Sequence, residues 1–289
     1  MGRHGGSDPD DAGWRPVPPN RERAGELIDL IQLIDSHAHL LSLRAPDTPD
    51  SALREAADAG VTHVINIGDD PTDNEPGCQL AERIPQLRTT IGWHPHFADH
   101  PLEAKELRAL RTLAAHPRVV AVGEIGLDYH FTEYHRVPAK AQARAFRQML
   151  GLSQELGKPV VLHTRDAFAD LLAILDEFPG IGGVFHCFSG NAAIASECLA
   201  RGFAISFAAT VTYSGAHDVK GAAGLVPLDR MLVETDAPFL PPQSRRGQPN
   251  APRYLPETVQ GIATLRGEGV ESVAAATRRN AIQLFGLDG

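Results

Sequence analysis

Between Leu33 and Phe285 the chain alternates short apolar runs, rich in Val and Ile, with longer amphipathic stretches. The runs are Leu33–His39, Val61–Gly68, Leu87–Gly92, Val119–Glu124, Val160–His163, Gly183–Phe188, Phe203–Ala208 and Met231–Thr235. Runs this short and this rich in β-branched residues read as strands. Among the intervening helices, Ala139–Leu156 is the clearest, with Ala145, Met149 and Leu152 on one face and Gly157 as a stop. Asp166–Phe178, Ala192–Ala200, Pro256–Arg266 and Val270–Phe285 are further helices. Eight such alternations over about 250 residues predict a single-domain α/β fold, a (β/α)8 TIM barrel spanning residues 30–286. An open, doubly wound sheet fits less well, because no glycine-rich phosphate loop follows the first strand. Polar residues also end the first, fourth, fifth, sixth and eighth runs instead of clustering at one switch point.

Residues 1–25 stand apart, dominated by Gly, Pro, Asp and Arg without apolar periodicity, and are expected to form a flexible N-terminal extension. The 289 residues are 43% apolar, ordinary for a chain with a real core. No apolar stretch approaches the roughly 20 residues of a membrane helix, and the opening residues do not read as a secretory signal. Cys78, Cys187 and Cys198 lack CxxC spacing, which suits a reducing, cytoplasmic setting better than a disulfide framework. A formal net charge of −9 argues against a surface that grips duplex DNA by neutralising phosphates. Attraction for a phosphodiester has to be local, from bound cations and a few arginines.

The chemistry collects at strand ends. His37 and His39 close the first run, Glu124 the fourth, His163 the fifth, His186 follows the apolar part of the sixth, and Asp236 follows the eighth. Taken singly, each has an ordinary structural explanation. As a set they are imidazoles and carboxylates at one mouth of a barrel, which is a metal site, and a metal site open to solvent points to hydrolysis. The two-residue period of a strand puts His37 and His39 on one face, with Asp35 one layer deeper to orient an imidazole. It likewise pairs Glu234 with Asp236.

These stretches resemble the TatD family of metal-dependent hydrolases, within the amidohydrolase-like barrels. The likeness rests on Asp-Ser-His-Ala-His at 35–39, Gly-Trp-His-Pro-His at 92–96, Gly-Glu-Ile-Gly-Leu-Asp-Tyr at 123–129 and His-Thr-Arg-Asp-Ala at 163–167. It continues in His-Cys-Phe-Ser-Gly at 186–190, Glu-Thr-Asp-Ala-Pro-Phe-Leu at 234–240 and Arg-Gly-Gln-Pro-Asn-Ala-Pro at 246–252. One departure is Leu41, where the family commonly carries an acidic residue.

The resemblance implies a deoxyribonuclease with one or two divalent ions, Zn²⁺, Mg²⁺ or Mn²⁺, held by His37, His39, Glu124, His163, His186 and Asp236. Glu124, with two oxygens, would bridge the ions, and Asp236 would accept a proton from the attacking water. His96 would donate to the phosphate or protonate the leaving oxygen. His94, Arg165, Arg246 and Asn250 are expected at the substrate, with Arg245 and Arg253 in the same loop. Trp93, Tyr129 and Phe188 lie beside these motifs with two readings open, stacking of a splayed base or walling of the pocket. His4, His63, His100, His116, His130, His135 and His217 are assigned no chemistry. DNA, single-stranded or at its ends, is the first expected substrate. An ester or amide such as a D-aminoacyl-tRNA is the alternative, because the same machinery attacks carbonyl carbon. No membrane or obligate protein partner is expected.

Overall fold

The computed structural model describes residues 31–70, 72–131 and 136–288. The expected N-terminal extension, with His4, and His135 lie outside the described residues. Eight strands, β1 (Leu33–Ala38), β2 (Val61–Asn66), β3 (Leu87–Ile91), β4 (Val119–Asp128), β5 (Val160–Arg165), β6 (Gly183–Phe185), β7 (Ala204–Phe207) and β8 (Met231–Val233), line up in sequence order. Every neighbouring pair is parallel. The sheet closes on itself just beyond β1 and β8. Ala38 bridges Ala237 in parallel, His39 N–H donates to Ala237 O at 2.7 Å, and Asp236 N–H donates to His37 O at 2.9 Å. The expected (β/α)8 barrel is the observed fold.

Helices fill the crossovers: α1 (Pro49–Asp58), α2 (Asn74–Arg83), α3 (Ala104–Ala114), α4 (Ala139–Leu156), α5 (Phe168–Leu175), α6 (Ala192–Ala200), α7 (His217–Leu225), α8 (Leu255–Arg266) and α9 (Val270–Phe285). Among them, α4 ends as its sequence dictates, at Gly157 with φ 63°, and buries Ala145, Met149 and Leu152. At the other end of the scale, α5 is shorter than the expected Asp166–Phe178. His217, read as a loop or helix-end residue, opens α7. None of the helices among the described residues is long and apolar enough to cross a membrane.

Two apolar layers result. Ile34, Ile65, Ala121, Val161, Val184 and Leu232, from six different strands, cluster inside the barrel, and Ala281, Phe285 and Leu287 close its floor. A larger cluster lies between strands and helices. On β5, β6 and β8 the strand period then carries each inward residue up to the mouth: Val161 to His163, Val184 to His186, Leu232 to Glu234 and Asp236. On β1 and β4 strict alternation would turn His37 and Glu124 outward from Ile34 and Ala121. Both strands carry a register irregularity at that point, between Asp35 and Ala38 and between Val122 and Ile125. Such bulges re-aim side chains and recur beside functional sites.

β4 also outruns its expected end at Glu124 by four residues, reaching Asp128. Gly123 and Gly126 flank Glu124 within this longer strand. In the barrel they permit close approach: a Cβ on Gly126, whose φ is +149°, would stand 1.9 Å from His163 O.

Candidate metal centre

His37, His39 and Glu124 bring three donor atoms together, and Asp236 approaches both imidazoles. His37 Nε2 lies 3.1 Å from His39 Nε2, 3.3 Å from Glu124 Oε2 and 3.6 Å from Asp236 Oδ1. His39 Nε2 lies 3.6 Å from that glutamate oxygen and 3.4 Å from that aspartate oxygen. Ligand bonds of about 2.0–2.1 Å at tetrahedral angles separate donors by about 3.3–3.4 Å. The set therefore fits a divalent cation on its own geometry.

A second set shares the same glutamate. Glu124 Oε1 is 2.7 Å from His163 Nδ1 and 2.7 Å from His186 Nε2, and those nitrogens are 3.3 Å apart. Both glutamate contacts lie within hydrogen-bond distance, and the carboxylates around His163 and His186 favour their protonated forms. Glu124 is buried, and burial opposes its charge. His186 and His163 outweigh that cost and hold its carboxyl well below the usual range. Burial likewise opposes charge on Asp236, and His39 and His186 keep it ionised. On His39, burial is overcome by Asp236, Glu124 and Asp69, which lift the imidazolium to about 9. The rings of His37 and His186 stack at 3.9 Å and 9°. Burial and its charged neighbour keep His37 neutral, whereas Glu124 and Glu234 hold the proton on His186 against burial.

Carboxylates stand behind these imidazoles, the arrangement that fixes a ligand's tautomer. His163 Nε2 donates to Asp128 Oδ2 at 3.1 Å, which leaves its Nδ1 facing Glu124. His186 Nδ1 meets Glu234 Oε1 at 3.3 Å, and His39 Nδ1 lies 3.6 Å from Asp69 Oδ2. His37 Nδ1 and Glu234 Oε2 are both buried without a hydrogen-bond partner among the described residues. Donor atoms of His37, His186 and Glu234 fall within 4.8 Å of one another. Asp35, expected behind an imidazole, is spent elsewhere: it accepts from Thr235 N at 2.9 Å, Thr235 Oγ1 at 2.5 Å and His37 N at 3.3 Å. The irregularity in β1 turns its carboxylate toward the β8 backbone.

Asp69 and Asp128 escaped sequence reasoning. Their signal was present, since each is a carboxylate just past an apolar run, but their partners are distant in the chain. Asp128 Oδ2 also accepts from His96 Nε2 at 2.9 Å, so one oxygen joins two imidazoles. Gln142 fixes the Asp128 backbone with 2.8 Å bonds to both its N–H and its carbonyl.

His94 sits with Glu124 and His163 in a third group of metal-capable donors. Its Nδ1 accepts the His96 backbone N–H at 3.2 Å, so the ring proton belongs on Nε2, 3.5 Å from Glu124 Oε1. Burial and the charge on His163 push its pKa down to about 3. His94 is thus neutral beside the centre. Arg165 and Arg246 are exposed, and Arg246 lies over the Tyr213 ring at 4.5 Å. Arg245 pairs with Glu257 and Arg253 with Glu55.

Asn250 departs from expectation. It is buried, and its Nδ2 donates to Thr235 O and Phe239 O at 2.7 Å, bracing the loop from beneath. Trp93 and Phe188 are wall residues. Trp93 donates to Phe97 O at 3.0 Å, and Phe188 is packed among Phe168 and Phe207. Tyr129 stays partly buried, its hydroxyl donating to Asp170 at 2.8 Å. Leu41 packs against the core.

A family model described as TatD-related DNase matches residues 34–286. The chain belongs to the TatD-related DNase family. It is 35% identical over 258 residues to the metal-dependent hydrolase YabD of Bacillus subtilis, covering 89% of this chain and 100% of YabD. It is 35% identical over 265 residues to the 3'-5' ssDNA/RNA exonuclease TatD of Erwinia amylovora, covering 88% of this chain and 100% of that protein. The crystal structure of YjjV, a TatD homologue from Escherichia coli, superposes with a TM-score of 0.81 at 30% identity, covering 89% of this chain and 98% of YjjV. TatD membership makes the chain a metal-dependent hydrolase, in keeping with its converging donor sets.

Proposed function

We propose that this TatD-family hydrolase cleaves phosphodiester bonds at an end of single-stranded DNA or RNA. The observation that carries the reading is one carboxylate, Glu124, offering an oxygen to each of two donor sets at the open end of the barrel. The exonuclease name of the Erwinia relative, aligned over its whole length, supports the substrate class. The three unpaired cysteines are in keeping with a reducing, cytoplasmic setting.

His37, His39, Asp236 and Glu124 would hold one ion, and Glu124, His163 and His186 a second. When bound, divalent ions polarise a phosphoryl oxygen and acidify water at neutral pH. Donor sets this rich in imidazole favour Zn²⁺ or Mn²⁺ over Mg²⁺, which prefers oxygen ligands and its own water. The chain's own groups do the rest. Asp236, ionised, accepts the proton of the attacking water. His94, neutral and carrying its proton on Nε2, donates a hydrogen bond to the phosphate. His96, oriented through Asp128, delivers a proton to the leaving oxygen. Arg165 and Arg246 supply the local positive charge that an acidic protein needs to draw in a polyanion.

The test uses metal-loaded protein with end-labelled single-stranded DNA and RNA, their duplex forms, and D-aminoacyl-tRNA, each with and without chelator. Chelator-sensitive loss of terminal nucleotides from the single strands, abolished in His163→Ala, is the expected result. Turnover of the aminoacyl ester alone would overturn the assignment in favour of a deacylase.

A further inference from the structure

Five large apolar side chains are exposed among the described residues: Phe97 (39%), Phe131 (52%), Leu225 (48%), Phe239 (51%) and Leu265 (41%). The two leucines lie on α7 and α8. The three phenylalanines all follow the ends of β3, β4 and β8, on the face that holds the donor sets. Phe97 and Phe239 stand nearest the chemistry. The Phe239 ring is 5.5 Å from that of His39, and the Phe97 ring is 6.5 Å from that of His94. Those imidazoles reach opposite oxygens of Glu124, His39 at 3.6 Å from Oε2 and His94 at 3.5 Å from Oε1. One aromatic ring therefore flanks each end of the shared carboxylate.

Neither ring is exposed because its loop is loose. Phe97 O accepts the Trp93 indole N–H at 3.0 Å, and Phe97 N–H donates to His94 O at 2.9 Å. Phe239 N–H donates to Asp236 O at 2.9 Å, and its carbonyl accepts from Asn250 Nδ2 at 2.7 Å. The backbone is fixed while the ring faces solvent, which is a preorganised platform. The role left for Asn250 is to hold one of them.

We propose that Phe97 and Phe239 form a pair of stacking platforms for the nucleobases on the two sides of the cleaved phosphodiester. The ligand is an unpaired base of any identity, since every base has a face to stack and phenylalanine has no group to read its edge. A duplex keeps its bases inside the helix, so the pair selects splayed single strands and frayed ends. This deepens the nucleic-acid reading above and rests on it.

The test is a cycle between protein and substrate. Phe97→Ala and Phe239→Ala are compared with wild type on a single-stranded oligonucleotide and on the same oligonucleotide made abasic at the terminal or the adjoining position. Each variant should raise KM roughly 5- to 150-fold on the intact strand, the worth of one stacked base, with kcat little changed. The abasic penalty seen in wild type should shrink in the matching variant, and Phe→Trp at either position should restore it. Variants that keep the full wild-type abasic penalty would overturn the stacking pair while leaving the nuclease reading intact. No cleavage of any strand by the wild-type protein would remove both.

Discussion

Glu234→Gln offers the sharpest test of how the centre is built. The substitution keeps the side chain's volume, and Gln Oε1 can still accept the Cys187 N–H that Glu234 holds at 2.7 Å. What changes is the charge behind His186 Nδ1, which disappears. A hydrogen bond to a charged group contributes about 1.5–3 kcal/mol, or about 10- to 150-fold in affinity. Carboxylates behind metal-bound histidines have measured effects of about 10- to 100-fold. The two estimates agree, so Zn²⁺ or Mn²⁺ affinity should fall by about one to two orders of magnitude. Competition against a chromophoric chelator measures it directly, and the metal-induced rise in Tm should shrink in parallel. An affinity within twofold of wild type, with the fold intact by circular dichroism, would refute the claim that Glu234 orients the His186 imidazole.

Asp128→Asn should cut kcat on oligonucleotides by about 10²-fold or more. It should cost much less on a p-nitrophenyl phosphodiester, whose leaving group needs no proton, and equal losses on both would point to general disruption. Metal affinity should climb with pH. His39, with its imidazolium lifted to about 9, is charged in the metal-free protein at neutral pH and must release that proton on binding. Chelator competition between pH 7 and 9 should show up to ~tenfold tighter binding per unit for each proton released, and a flat profile would contradict it. The same raised pKa stabilises the metal-free fold fully below about 6.5, and that contribution fades as pH rises through about 9. Gly126→Ala should cost about 3 kcal/mol or more in urea unfolding, because its Cβ would meet His163 O at 1.9 Å and wedge β4 from β5. Gly151→Ala, exposed within α4 with nothing inside 4 Å of the added carbon, should instead gain about 0.5–1 kcal/mol.

Strand count, order and the placing of His163, His186 and Asp236 were legible because on β5, β6 and β8 the alternation runs unbroken from the core to the mouth. On β1 and β4 the same rule would have sent Asp35 under the centre and ended β4 at Glu124. The bulges that correct it depend on which neighbouring backbone each strand meets, and a single sequence carries no register. The need for glycine at 126 was hidden for the same reason, since it comes from close contact with His163 on the neighbouring strand. The polar groups behind the imidazoles were hidden by distance, as with Asp128, which serves residues 32 and 35 positions away. Exposure was likewise unreadable. Trp93 and Phe188 stood open between stacking and walling, and only the fold shows them buried while Phe97 and Phe239 meet solvent.

The seam that completes the barrel runs through the centre itself. Ala38 and Ala237 form the bridge between first and last strands, and His37, His39 and Asp236 sit directly beside it. A cation gripped by those three side chains is therefore a clasp between two ends of the domain roughly 200 positions apart, as Asp35 and Thr235 are. Holding such distant segments together removes a large closure entropy from the unfolded chain. An ion held there would thus also latch the cylinder shut, and withdrawing it would loosen the wall where the first strand meets the last.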